Sequence, residues 1–315
     1  MRYLKLTLRP RSPFGTPLAG DTLFGHLCWA LRLRRGAGGL GELLEGYTEG
    51  RPFAVISDAF PAGFIPRPAL PGARAGRVFD PRLRKEDKRK TWLPVSVSHL
   101  PIGAWLDAAA EPQGGNVVRT GVMTQNTINR MTGTTGTGPF APRQVEQIVF
   151  ARDALLECYA TLDEARLPAQ ELRRAAEDIG CTGYGRDASS GLGKFDVVAL
   201  EDHTWPNAGS AHAITLAPCS PEPAALDGED CYYQPVTRFG RHGGTAVLTG
   251  PAGPFKRPIL MMRTAAFLTF REAAPRGHHG KGLGGVAQPI SGVIPETVHQ
   301  GYAPLVPVNA TPGGG

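Results

Sequence analysis

Cysteine is scarce and scattered in this chain. Cys28, Cys158, Cys181, Cys219 and Cys231 form no C-x-x-C pair, which argues against a zinc knuckle or a dithiol redox motif and suits a reducing compartment. No run approaches eighteen consecutive apolar residues, and the opening MRYLKLTLRP alternates apolar and basic residues instead of presenting a signal-peptide core. A cytoplasmic, soluble protein with no membrane partner is therefore expected. Long helices should be few, because 41 Gly and 29 Pro make up more than a fifth of the 315 residues, a composition of short elements joined by many turns. The length allows two domains, each with a core of its own. A formal net charge of +6 suits a polyanionic partner but serves solubility equally well.

Both common nucleotide-binding motifs are missing from the stretch that most invites them. Residues 179–200, IGCTGYGRDASSGLGKFDVVAL, carry Gly183, Gly185, Gly191 and Gly193 around Arg186, Asp187, Ser189 and Ser190. A phosphate-binding G-x-x-x-x-G-K-[ST] loop fails twice here: Ala188 stands at the first glycine and Phe195 at the magnesium-binding hydroxyl. The dinucleotide pattern G-x-G-x-x-G/A fits loosely at residues 183–188, but that motif follows a strand and opens a helix. Here the order is reversed. Residues 168–179, with Pro168 in the first turn, read as a helix, and Phe195 onward as a strand. What remains is a loop whose N–H groups can approach a phosphate or a polynucleotide strand, or a surface turn without a ligand.

Read in order, Leu4, Leu6 and Leu8 alternate with Lys5, Thr7 and Arg9 as in a half-buried strand. Asp21 is placed to cap a helix carrying Leu23, Phe24, Leu27 and Leu31 on one face, stopped at Gly36. A short helical piece at 41–47 and a buried strand at 53–60 follow. Four prolines force residues 61–71 to run extended over a surface. Residues 82–90, RLRKEDKRK, read as a solvated charged face in preference to a nucleic-acid patch, and residues 92–106 return to a core. Residues 145–162 favour strand character. Beyond the glycine-rich loop, strands are expected at 211–216, 231–239, 259–262, 265–270 and 298–308. His278, His279 and Lys281 fall in GHHGKGLGG, read as a structural loop rather than a metal site.

A second stretch is almost free of acid. Residues 117–140, VVRTGVMTQNTINRMTGTTGTGPF, set Arg119, Gln125, Asn126, Thr127, Asn129 and Arg130 among β-formers and dissolve into a Thr/Gly-rich tip. A protruding hairpin is expected. Its amides and arginines can bond phosphates and base edges, and Ile128 or Met131 can wedge between bases; a polar loop without a ligand would look similar.

Taken together, the pattern suggests an α+β chain of ferredoxin-like (RRM-type) β-α-β-β-α-β units. Four blocks in order, GDTLFGHLCWAL (20–31), ISDAFPAGFIPRPALP (56–71), QNTINRMTGTTGTGPF (125–140) and GYGRDASSGLGKF (183–195), resemble the RAMP-superfamily, Cas5-like subunit four of the type III-A (Csm) CRISPR effector complex. With the closing segment 298–308 the resemblance spans nearly the whole chain. It implies two ferredoxin-like domains, 1–145 with a thumb hairpin and 146–310 with the glycine-rich loop at 183–194, before a disordered tail at 311–315.

The resemblance also implies a non-catalytic, cofactor-free and metal-free subunit in antiviral defence. Such a subunit holds the 5′ repeat-derived tag of the guide RNA (crRNA), bridges the large polymerase-like subunit to the adjacent RAMP backbone subunit, and lies near the tag end of the target RNA. The implied RNA-binding residues are Arg119, Gln125, Asn126, Thr127, Ile128, Asn129, Arg130 and Met131 on the hairpin, and Gly183, Tyr184, Gly185, Arg186, Ser189, Ser190, Gly191 and Lys194 in the loop, with Arg238 as a further phosphate contact beside Phe239. The rival is a metal-independent RAMP endoribonuclease that processes precursor guide RNA with His26 as general acid or base. Against it, His26 lies on a packed helix face without a second positioned group.

Overall fold

Alternation places Leu4, Leu6 and Leu8 on the buried side of β1 (Arg2–Pro10). This strand pairs antiparallel on both edges and so forms the middle of the first sheet. The computed structural model describes residues 1–77, 82, 84–111, 118–243, 254–275 and 277–310; Val117 at the base of the expected hairpin and the expected tail at 311–315 lie outside the described residues.

After β1 comes α1 (Gly20–Leu44), then β2 (Ala54–Pro61) and the short β3 (Phe64–Pro66). The charged run holds α2 (Arg84–Arg89), followed by β4 (Trp92–Pro94) and α3 (Ile102–Asp107). A hairpin of β5 (Val118–Gln125) and β6 (Arg143–Phe150) leads to β7 (Leu156–Leu162), α4 (Ala169–Thr182) and β8 (Phe195–Asp202). The rest of the chain is short strands: β9 (His212–Thr215), β10 (Pro235–Arg238), β11 (Ile259–Met262), β12 (Phe267–Thr269), β13 (His278–Gly280), β14 (Leu283–Gly284), β15 (Val298–His299) and β16 (Tyr302–Pro307).

The first sheet has the order β2-β7-β1-β8. With α1 after β1 and α4 between β7 and β8, its elements follow each other as β-α-β-β-α-β. It draws strands from both sides of residue 145, so the segments 1–145 and 146–310 share one sheet and one core. Leu23, Leu27 and Leu31 of α1 and Leu172, Ala175 and Ile179 of α4 pack on it, each large side chain contributing roughly 1.5–3 kcal/mol by burial. The two helices are tied by Arg34 to Asp178 at 2.5 and 2.9 Å and by Arg35 to Glu171.

The second four-stranded sheet, β12-β9-β16-β13, has no α-helix between its strands among the described residues, only two short 3-10 turns at Pro223–Ala225 and Gly228–Asp230. It shares a second core with β3, β4, α3 and Tyr159 of β7. There Trp105 is fully buried, and its Nε1 donates to the Pro94 carbonyl at 2.7 Å.

Four expectations change. The helix does not end at Gly36: that residue (φ 76°, ψ 178°) kinks α1, which continues to Leu44 and absorbs much of the piece expected at 41–47. Asp21 does not cap α1, whose N-cap is Ala19; its carboxylate turns inward to the partners described below. The proline segment is not laid over a surface, because β3 pairs with β4 and buries Ile65, while Leu70 is buried beyond it. His278 and His279 are in a strand, β13, paired with β16. The charged run is a short helix with Lys90 paired to Glu86 at 2.8 Å, in keeping with a solvated face. No described helix is long and apolar enough to cross a membrane.

Candidate nucleic-acid interface

α4 buries Leu172, Ala175, Ala176 and Ile179 on one face, which fixes where it releases the chain into the glycine-rich loop. The loop closes on itself. Tyr184 N–H donates to the Gly193 carbonyl at 3.0 Å and Ser190 N–H to Asp187 at 2.9 Å, with Asp187 in the left-handed region at φ 60°. Gly193 is required at its place, since its φ is 75° and a Cβ would collide with the Tyr184 backbone.

The folded loop docks on the segment between β1 and α1. Gly193 N–H donates to the Pro13 carbonyl at 2.9 Å, and Arg11 N–H to the Lys194 carbonyl at 2.7 Å. Lys194 N–H donates to Ser12 Oγ at 2.9 Å and Arg186 N–H to Thr16 Oγ1 at 2.9 Å. From beneath, Gly185 N–H donates to His26 Nε2 at 3.1 Å. Burial lowers the His26 pKa from 6.5 to about 4, so the ring is neutral, and an accepting Nε2 assigns its proton to Nδ1.

The hairpin β5–β6 is in register from Val118 opposite Phe150 to Gln125 opposite Arg143. Its tip is tightened by Asn129 N–H to the Thr134 carbonyl at 3.0 Å and Met131 N–H to Asn129 Oδ1 at 2.9 Å. Met131 is 93% exposed, and Arg119, Asn126, Thr127, Ile128 and Arg130 are exposed with it, while Gln125 and Asn129 are half-buried. The Asn129 amide oxygen is thus spent on the turn.

The same connecting segment holds the hairpin. Phe14 and Ile148 exchange backbone hydrogen bonds at 2.9 and 2.8 Å, and the Arg186 guanidinium donates to the Glu146 carbonyl at 2.7 Å. Residues 11–16 therefore join the hairpin base to the loop. The outward side chains of the loop are Arg186, Ser189, Ser190 and Lys194.

Several expected contacts are used up inside the protein: Gly183 N–H donates to the Ile179 carbonyl at 2.8 Å, Gly191 N–H to the Ala188 carbonyl at 3.0 Å and Gly185 N–H to His26, so these glycines have no N–H left for a phosphate. Tyr184 is fully buried, its hydroxyl donating to the Pro17 carbonyl at 2.8 Å and accepting from Ala19 N–H at 3.0 Å, so its ring packs the loop and is closed to a base. Arg238 donates to both oxygens of the buried Asp21 at 2.6 and 2.7 Å, and to Thr22 Oγ1 at 3.1 Å, so its fork is filled before any phosphate arrives. His299 Nε2 stands 3.2 Å from the same carboxylate, short of hydrogen-bond geometry. Burial alone would raise the Asp21 pKa, but His299 and Arg238 outweigh it and hold it well below the carboxylate range. Nearby Asp58 accepts from Gly20 N–H at 2.7 Å and Thr264 Oγ1 at 2.6 Å, and burial still pushes it up to about 7.

Sequence reasoning missed Arg11, Ser12 and Thr16 as the seat of the loop; their only local signal is a polar RSPFGT between strand and helix. No group of three or more His, Cys, Asp or Glu among the described residues is placed to hold a metal. The adjacent histidines point apart: His278 Nδ1 lies 3.3 Å from Thr161 Oγ1, and His279 Nε2 accepts from Glu222 N–H at 3.3 Å.

No protein-family model and no curated protein sequence matches the chain. Solved structures do match. The Csm4 chain of a Csm1-Csm4 cassette in complex with pppApA aligns over 97% of this chain and 98% of its own, with a TM-score of 0.61 at 16% identity. A Csm1-Csm4 cassette in complex with cA4 aligns over the same shares with a TM-score of 0.60 at 15% identity. A Csm3-Csm4 subcomplex of the type III-A CRISPR-Cas interference complex covers 98% of this chain and 100% of its own, with a TM-score of 0.59 at 13% identity. At these identities the likeness is one of fold, and the chain shares the Csm4 fold of these structures from end to end.

Proposed function

We propose that the protein is a guide-RNA-binding subunit of a type III CRISPR effector complex. It holds the 5′ repeat-derived tag of the crRNA between the β5–β6 hairpin and the glycine-rich loop, and it acts in antiviral defence. One observation carries this reading: a single connecting segment, residues 11–16, hydrogen-bonds both the loop and the hairpin base, so two acid-poor surfaces are held as one clamp. A single-stranded tag offers an accessible backbone and splayed bases. The outward side chains Ser189, Ser190, Arg186 and Lys194 meet phosphates, while Ile128 and Met131 at the tip separate bases.

In this reading the hairpin is the thumb of the ferredoxin-like unit that β1, α1, β2, β7, α4 and β8 form, and the second sheet packs beside that unit. The fold neighbours come from structures with Csm1 and with Csm3, which supports a bridge between a large polymerase-like subunit and a RAMP backbone subunit, near the tag end of the target RNA. The subunit itself is non-catalytic. His26, the residue a RAMP endoribonuclease would need, accepts a hydrogen bond from Gly185 and is desolvated.

The test is binding of tag RNA as a function of salt. Lys194→Ala should weaken binding and lower the slope of log K against log salt by about 0.7, the value of one single-strand phosphate contact. An unchanged slope and affinity would remove Lys194 from the site. Specific, metal-free cleavage of repeat RNA by the purified protein, abolished by His26→Ala, would replace this reading with the nuclease.

A further inference from the structure

The two exposed phenylalanines among the described residues share one hairpin. Phe239 is 73% and Phe255 65% exposed, and Leu260 beside them is 70% exposed. Residues of this size seldom stand in solvent together without an occupant. Arg241 faces Phe255 across the ladder, and Lys256 N–H donates to the Gly240 carbonyl at 2.8 Å. Stepping two residues along each strand puts Phe239 and Arg257 on the same side, and all four are exposed while Gly240 and Lys256 between them are not. Rings and guanidinium groups therefore alternate on one outer face of the β10–β11 hairpin, with the two rings on a diagonal about 7–8 Å long.

Charge indicates what covers this face. Residues 231–271 contain no Asp or Glu, in a chain that carries 28. Arg241 and Arg257 have no side-chain hydrogen bond or ion pair. The inner face, by contrast, is committed to the fold: Arg238 holds Asp21, His242 Nε2 pairs with Ser291 Oγ at 2.7 Å, and Met261 is buried. The hairpin is thus braced from behind and presents unpaired cations between apolar rings in front. Aromatic and arginine side chains also mark protein interfaces, but an acid-free stretch of 41 residues whose exposed arginines lack carboxylate partners favours a polyanion, and such a sheet face stacks bases and neutralises phosphates.

We propose that the outer face of the β10–β11 hairpin is a second platform for single-stranded RNA, in which Phe239 and Phe255 stack bases and Arg241 and Arg257 meet the backbone. It joins the first site at the start of α1. Arg238 of β10 bonds Thr22 there, and Tyr184 of the glycine-rich loop bonds Ala19 one turn earlier. The choice of RNA as occupant rests on the function proposed above.

The experiment measures fluorescence anisotropy of a labelled 15-nucleotide single-stranded RNA against the full-length protein over a salt series. Phe239→Ala with Phe255→Ala should weaken binding by about tenfold or more at an unchanged salt slope, because stacking releases no counterions. Arg241→Gln with Arg257→Gln should lower the slope by about 1.4. Both pairs are exposed, and an unchanged thermal midpoint will establish that the variants are folded. Wild-type affinity and slope in both double variants would overturn the platform. So would loss of co-purification with the large subunit while RNA binding is retained, which would make this face a protein contact. Lys194→Ala run in parallel separates the two sites: weakening there alone leaves the loop and removes the platform, and weakening at the hairpin alone does the reverse.

Discussion

His26 is the residue through which the loop can be loosened without touching its outward side chains. A pKa lowered from 6.5 to about 4 by burial corresponds to roughly 3 kcal/mol in favour of the neutral ring in the folded protein. Between these two values the unfolded chain binds a proton that the folded chain refuses, so stability is full above 6.5 and falls as the pH drops towards 4. By about pH 5 the loss from this one group is ~2 kcal/mol. The physical event is specific, because a protonated Nε2 cannot accept from Gly185 N–H at 3.1 Å. His26→Gln keeps an acceptor and removes the titration. Urea denaturation of wild type and variant at about pH 7.5 and pH 5 should show the wild type losing ~2 kcal/mol more than the variant. Other buried histidines titrate in both proteins and cancel. Parallel losses would refute the neutral His26 ring and with it the bond it accepts from Gly185 beneath the loop. At neutral pH, His26→Ala should weaken tag binding more than His26→Gln, since only alanine leaves the Gly185 N–H without a partner.

Arg238→Ala removes the one guanidinium paired with the buried Asp21 carboxylate and leaves it only Thr22 and the nearby His299 ring, and chemical denaturation should record a loss of about 3–5 kcal/mol. Asp58, pushed up to about 7 by burial, binds a proton that the unfolded chain has already lost above its ordinary carboxylate pKa of 3.8, so it weakens the fold as pH rises towards 7. Asp58→Asn should raise the thermal midpoint at about pH 8, with the gap closing at about pH 4. Within the loop, Gly193→Ala should cost more than Gly191→Ala. The first collides with the Tyr184 backbone, and the second, with open space around it, bears only the left-handed strain of about 1–2 kcal/mol; equal denaturation midpoints would contradict this packing.

Local pattern was enough to read the parts of the fold that local physics decides. Leucines at period two produce β1, proline at the start and a buried stripe at helical spacing produce α4, and acid-free β-formers produce β5, although the returning strand β6 begins at Arg143, beyond the expected stretch 117–140, and carries Glu146. Long-range partners decide the rest. Asp21 looks like a cap until Arg238, 217 residues away, reaches it. Gly36 looks like a stop, yet α1 resumes beyond it because Leu43 is buried in the same core. His278 and His279 sit in a glycine-rich string that only the edge of β16 turns into a strand.

The candidate site divides along the same line. Glycine spacing marks the loop, but not that Tyr184 is its anchor or that residues 11–16 are its seat. Those depend on chain segments more than 150 residues apart in sequence. The exposed rings at Phe239 and Phe255 carry no motif at all; the 41-residue gap in acidic residues from 231 to 271 is their one sequence signal.

The central claim is that the loop and the hairpin close together on the 5′ tag. Ultraviolet crosslinking of guide RNA in the assembled complex, with the joined peptides and nucleotides read by mass spectrometry, tests it most directly. Tag nucleotides should be joined to peptides that contain residues 119–131 and 183–194. Crosslinks confined to the spacer, with none from the tag to either peptide, would contradict it.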